Sequence, residues 1–262
     1  MASTDAGLIR PEPRPQAPLR LFCFHHAGVG ASAFRGWAQH LTAETNVEVC
    51  LVQLPGREGS FQQPVVSSMA QAVATVVEKM HPLLDRPFAF YGHSLGARIA
   101  FESTLNLRRR FKLQPIHLFV GASPAPQLPW RHAAVRDLQE NDLIDEIQRR
   151  YGPLPREVLA DAEMRALVLP ILRADFGIIE TYIYSPDTPL DCGITAFGGI
   201  HDPMVPLSSL EPWRQQTSGR FRIQMMDGNH LFLRSCRVQL LAAIASELKL
   251  CSENQEAFQQ FH

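Results

Sequence analysis

Phe88-Ala89-Phe90-Tyr91-Gly92-His93-Ser94-Leu95-Gly96-Ala97 runs from a short apolar segment through a Gly-x-Ser-x-Gly turn into a helix-prone segment. To lift a serine hydroxyl clear of a sheet edge, the chain must turn sharply from strand into helix, with that serine in a strained conformation. Small residues at Gly92, Gly96 and Ala97 let the backbone pass close to itself there. The turn nominates Ser94 as a nucleophile. A strand-to-helix turn used only for packing is the plain alternative, and residues elsewhere in the chain decide between the two.

Outward from this turn, apolar segments of strand length alternate with amphipathic segments of helix length. That alternation predicts an α/β fold, a mostly parallel central sheet flanked by helices. Strands are expected at 19–24, 47–54, 88–91, 117–122, 194–198 and 221–225, and helices at 33–41, 67–84, 97–111, 209–216 and 231–248. Met69, Val73, Val76, Val77, Met80 and Leu84 recur at helical spacing, a core stripe. From about 126 to 184 the alternation stops: helices at 137–151 and 161–184 follow each other without a strand, the second kinked or split at Pro170. Such an insertion would cover the carboxyl edge of the sheet as a lid; an ordinary helical subdomain is the alternative.

In the α/β-hydrolase arrangement nucleophile, acid and histidine follow in that order, each on a turn at a strand end. Asp202 lies just beyond the strand at 194–198, and His230 follows Asp227-Gly228-Asn229 beyond the strand at 221–225. Asp175, Asp187 and Asp191 compete as the acid, but one lies in the helical insertion and two precede the strand. His93 reads as packing of the elbow. Oxyanion donors are expected from the amide of Leu95 and from the early loop Phe24-His25-His26-Ala27-Gly28-Val29-Gly30, where Ala27 is the best candidate. His25 and His26 raise the question of a metal, yet adjacent side chains diverge and no third ligand has suitable spacing, so none is expected.

The 262 residues, 45% hydrophobic and 19% charged, suffice for one α/β domain. A net charge of −1 offers no field for nucleic acid or an anionic membrane, and neither is expected as a partner. Five widely spaced cysteines without C-x-x-C suit buried free thiols in the cytoplasm. Residues 1–18, with four prolines, read as a disordered tail, 19–251 as the catalytic domain, and the polar 252–262 as a flexible tail.

Taken together, the motifs resemble the type II (external) thioesterases that accompany nonribosomal peptide and polyketide synthases. The pieces are Phe24-x-x-Ala27-Gly28, Gln53-Leu54-Pro55-Gly56-Arg57-Glu58, Gly92-His93-Ser94-Leu95-Gly96-Ala97, Leu169-Pro170-x-Leu172-Arg173-Ala174-Asp175, His201-Asp202-Pro203-x-Val205 and Asp227-Gly228-x-His230-x-Phe232-Leu233. Departures lie at His25 and Val29, at Gly59-Ser60-Phe61 and at 121–126; they bear on the oxyanion loop and on carrier recognition, not on Ser94, Asp202 and His230. The resemblance implies a cofactor-free, monomeric serine hydrolase that releases acyl groups from the phosphopantetheine arms of carrier proteins. Three rivals stay open: a medium-chain fatty acyl thioesterase, a general carboxylesterase, and a noncatalytic binding protein on this scaffold. Read without the family, Arg57-Glu58 is a surface pair. Arg108-Arg109-Arg110 is either a solvated, dipole-complementing helix end or a docking patch for an acidic carrier.

Overall fold

Side-chain alternation along the strands builds two cores, one on each face of a sheet. In β3 (Leu19–Phe24), Phe22 and Phe24 pack to one side and Leu19, Leu21 and Cys23 to the other. In β5 (Phe88–His93), Phe88 and Phe90 likewise oppose Ala89 and Tyr91. The other strands are β1 (Ser3–Asp5), β2 (Leu8–Arg10), β4 (Val47–Val52), β6 (His117–Gly121), β7 (Gly193–Gly199) and β8 (Phe221–Met226). The computed structural model describes residues 3–5 and 7–260, and in it these strands form a sheet ordered β1-β2-β4-β3-β5-β6-β7-β8. Pairs among β3 to β8 are parallel, with Phe22 set between Cys50 and Phe90; β1–β2 and β2–β4 are antiparallel.

Helices cover both faces. On one side lie α2 (Met69–Met80) and α3 (Leu95–Phe111); on the other, α1 (Trp37–Glu44) and α9 (Arg237–Gln260). Ser68 caps α2 by accepting from the Gln71 amide, and Ala72, Val73, Val76, Val77 and Met80 bury the expected stripe. Between β6 and β7 come α4 (Glu140–Tyr151), α5 (Arg156–Ala160) and α6 (Ala162–Glu180); the short α7 (Leu207–Leu210) and α8 (Phe232–Ser235) follow. Among the described residues no helix is long and apolar enough to cross a membrane.

Three expectations need correction. Residues 1–18 do not form a disordered tail where they are described: β2 pairs with β4 through Leu8↔Val52 and Ile9↔Leu51, and β1 pairs with β2; residues 1, 2 and 6 lie outside the described residues. The open edge of β4 supplies unpaired backbone groups, and the buried Glu48 carboxylate draws Arg10 Nε (2.8 Å) and the Arg14 amide (2.9 Å). At the other end α9 runs on to Gln260, past the boundary at 251, and only 261–262 lie outside the described residues. Pro170 does not split α6, which is continuous across it. The break falls earlier, between α5 and α6, where Asp161 caps α6 by accepting from the Glu163 amide at 2.8 Å.

Candidate active site

Ser94 follows β5 and caps α3 with φ 55° and ψ −114°, a region L-residues rarely occupy. Its amide donates to the Gly121 carbonyl at 2.7 Å, and its carbonyl accepts from Ala97 at 3.1 Å, so neighbouring elements hold the strained turn. A Cβ at Gly92 would sit 2.3 Å from the Gly96 carbonyl oxygen, and one at Gly96 would sit 2.1 Å from that of Phe24. Only glycine lets the elbow pass at both places.

Asp202 and His230 arrive on the loops after β7 and β8. His230 Nε2 lies 2.9 Å from Ser94 Oγ, and His230 Nδ1 lies 2.8 Å from Asp202 Oδ2. A carboxylate only accepts, so Nδ1 carries the proton and Nε2 is left with its lone pair toward the serine hydroxyl. The other oxygen, Asp202 Oδ1, accepts from the Met204 amide at 2.9 Å. His93 Nε2 donates to the His230 carbonyl at 2.7 Å while its Nδ1 accepts from the Tyr91 hydroxyl at 3.0 Å, so this buried imidazole pins the backbone of the His230 loop. Burial holds the His93 pKa well below the usual histidine value.

The competing carboxylates lie elsewhere. Asp187 pairs with Arg108 (3.1 Å) and Arg109 (2.6 Å), and Asp191 accepts from Gln114 at 3.0 Å. Two of the three consecutive arginines at the end of α3 are thus tied to the chain leading into β7. Asp175 is buried and meets Arg57 in a bidentate pair at 2.6 and 2.9 Å. The Arg57-Glu58 dipeptide is therefore not a surface pair. Arg57 is 2% exposed, and Glu58 accepts from the Gly30 amide at 3.0 Å and the Ser32 amide at 3.1 Å. Arg57 and Asp175 each belong to a motif that carries the resemblance, but nothing in the sequence joins the two.

Leu95 opens α3, where an amide has no carbonyl one turn earlier to bond. Ala27 N–H makes no hydrogen bond among the described residues, and Ala27 borders the same cavity as Ser94. That cavity, about 230 Å³, is lined by Ile147 and Tyr151 of α4, Val158 of α5, and Leu172 and Phe176 of α6, together with Ser94 and His230. Tyr151 meets the His230 ring edge-on at 4.8 Å between centroids. Both histidines of the early loop spend Nδ1 on backbone: His25 donates to the His26 carbonyl and His26 to the Ala27 carbonyl, each at 2.9 Å. Burial lowers the His26 pKa to about 3, keeping the ring neutral. Among the described residues no three His, Cys, Asp or Glu side chains are grouped to hold a metal ion.

A thioesterase domain model matches residues 19–248. The chain is 42% identical over 234 residues to the gramicidin S biosynthesis protein GrsT of Aneurinibacillus migulanus, covering 89% of this chain and 90% of that protein. It is 33% identical over 226 residues to the rat medium-chain S-acyl fatty acid synthase thioesterase, covering 84% and 83%. Among solved structures, RedJ, a thioesterase of the prodiginine pathway of Streptomyces coelicolor, superposes with a TM-score of 0.82 at 37% identity, covering 91% of this chain and 96% of that one.

Proposed function

The chain belongs to the thioesterase family, and on that footing we propose that it hydrolyses acyl thioesters on the phosphopantetheine arms of carrier proteins, clearing stalled or misprimed nonribosomal peptide and polyketide synthases. The observation that carries this reading is the unbroken hydrogen-bonded series Ser94–His230–Asp202 opening onto an apolar cavity.

Ser94 Oγ attacks the thioester carbonyl carbon as His230 Nε2 takes its proton, and Asp202 stabilises the imidazolium that forms. The Ala27 and Leu95 amides receive the oxyanion. As the tetrahedral species collapses, the C–S bond breaks and the thiolate recovers the proton from His230. A thiol of pKa about 8.5 departs readily, so positioning matters more than acid assistance. Water, deprotonated by His230, then attacks the acyl-serine; the ester C–O bond breaks, Ser94 Oγ takes the proton back from His230, and the acid is released.

The apolar cavity also favours a second reading, release of medium-length aliphatic acids, and the rat relative supports it. A panel of acylated carrier proteins followed by intact mass separates the two: short and aberrant acyl groups lost fastest support editing, a sharp optimum at medium chain length supports fatty acid release. In the same assay Ser94→Ala should fold normally and lose at least ~10³-fold in rate. A loss under tenfold would remove Ser94 from the chemistry.

A further inference from the structure

Two sequence motifs remain without a task in the mechanism above: the Gln53 to Glu58 stretch and the Leu169 to Asp175 stretch. In space they meet at the loop that carries Ala27. Gln53 Oε1 accepts from the Ala31 amide at 2.8 Å, and its Nε2 donates to the Arg57 carbonyl at 3.0 Å. Glu58 takes the Gly30 and Ser32 amides, and Arg57 donates to the Val29 carbonyl at 3.2 Å. From α6, Asp175 Oδ2 accepts both the Gly28 amide at 2.8 Å and the Arg57 guanidinium at 2.6 Å. Gly28 has φ +78°, and Leu172 occupies the space where its Cβ would stand, 2.4 Å from Leu172 Cδ2.

The consequence falls on one N–H. The peptide before Ala27 is tied through its carbonyl to His25 Nδ1. The peptide after Ala27 is tied through its carbonyl to His26 Nδ1 and through its N–H to Asp175. Both planes flanking Ala27 are thereby fixed, and so is the direction of the Ala27 amide. The two histidine contacts are local to the loop. Asp175 alone among these groups comes from a distant element, and it is held in place by Arg57. The pair is buried, with Arg57 and Asp175 side chains 1% and 0% exposed. A buried ion pair is weak evidence for stability, since apolar residues of similar volume often serve as well. Its position, bonded to the Gly28 amide next to Ala27, points to another role.

We propose that Arg57 and Asp175 are positioning residues for the oxyanion hole: together they anchor the Ala27–Gly28 peptide to α6, so that the Ala27 N–H points where charge develops on the thioester oxygen. This rests on the thioesterase reading and deepens it. Transition-state stabilisation then depends on a helix of the insertion between β6 and β7, although neither Arg57 nor Asp175 lines the cavity at Ser94.

The test compares wild type with Asp175→Asn, Arg57→Lys and the apolar double variant Arg57→Met with Asp175→Leu. The double variant guards against misfolding, because it leaves no buried charge unpaired. Three quantities are measured: kcat and KM on one acyl-pantetheine thioester, affinity for a trifluoromethyl ketone that forms an oxyanion upon addition of Ser94, and affinity for a thioether analogue that has no carbonyl. Loss of an oxyanion donor costs 10²- to 10³-fold, so a displaced donor should lower kcat by about 10- to 100-fold, with KM within about twofold. Ketone affinity should fall in parallel and thioether affinity should hold. A double variant that melts like wild type and keeps wild-type kcat would overturn the proposal, as would equal losses for ketone and thioether, which mark a generally disordered site. Should the wild type cleave no acyl thioester at all, the functional reading fails, and ketone affinity still reports on the pair separately.

Discussion

At the scale of single residues, the second oxygen of Asp202 decides what a conservative substitution does. Oδ1 is committed to the Met204 amide and Oδ2 to His230 Nδ1–H. Asparagine at this position must keep its carbonyl oxygen on Met204, which turns its NH₂ toward His230. The imidazole then accepts at Nδ1 and carries its proton on Nε2, where it donates to Ser94 instead of accepting from it. Asp202→Asn should therefore keep its melting temperature and lose about 10⁴-fold in kcat, as the same change does in a serine protease triad. Matched thermal melts and steady-state kinetics check this, and a loss below tenfold would place the orienting acid elsewhere. The three residues of this series were legible because each follows a strand and they appear in a known order. The Arg57–Asp175 pair was not, since 118 positions separate its members and an Arg-Glu dipeptide after a turn looks like solvated surface.

At the scale of elements, the crossing of α3 over β3 is set by Gly96, and its tolerance is small. The atoms a Cβ would meet are the carbonyl oxygens of Phe24 at 2.1 Å and His25 at 2.6 Å, backbone groups that cannot rotate away. Gly96→Ala must push the first turn of α3 off β3, carrying the Leu95 amide and Ser94 with it. We expect kcat to fall by about 10²-fold, the usual cost of a displacement near 1 Å, together with a lower melting temperature. Gly59→Ala, where nothing lies within 4 Å, is the control and should change neither. The parallel strands and their helices were readable because local apolar period and turn residues specify them. The antiparallel β2 was not: three residues ahead of a proline-rich stretch carry no period, and they become a strand only because β4 has a free edge and Glu48 needs cationic partners. Pro170 misled in the opposite direction, because packing of Leu169, Leu172, Asp175 and Phe176 holds α6 together across it.

For the whole molecule, burying histidines as neutral rings couples stability to acidity. Burial, before any neighbouring charge, lowers His26 to about 3 and His117 to about 4, and pushes His25 and His93 well below the usual value. An unfolded chain binds protons at these rings near pH 6.5, whereas the folded chain does not until the pH is far lower. Between those limits the unfolded state holds more protons, so stability rises with pH there. The contribution is complete above pH 6.5 and is lost as the pH falls toward 4, at a slope of about 1.4 kcal/mol per pH unit for each ring. His117 is the ring to change. It sits outside the site, Nε2 2.9 Å from Thr195 Oγ1, with Arg222 as the nearby charge that adds to its shift. Urea unfolding of wild type and His117→Gln at pH 7, 6, 5 and 4.5 should show the variant less stable at pH 7, through lost packing against Phe119, yet with a slope shallower by about one proton. Parallel slopes would mean that His117 is protonated without penalty in the fold, and that the acid sensitivity resides in the rings around Ser94 instead. Activity would then be lost at the same pH as structure, because unfolding would begin at the site.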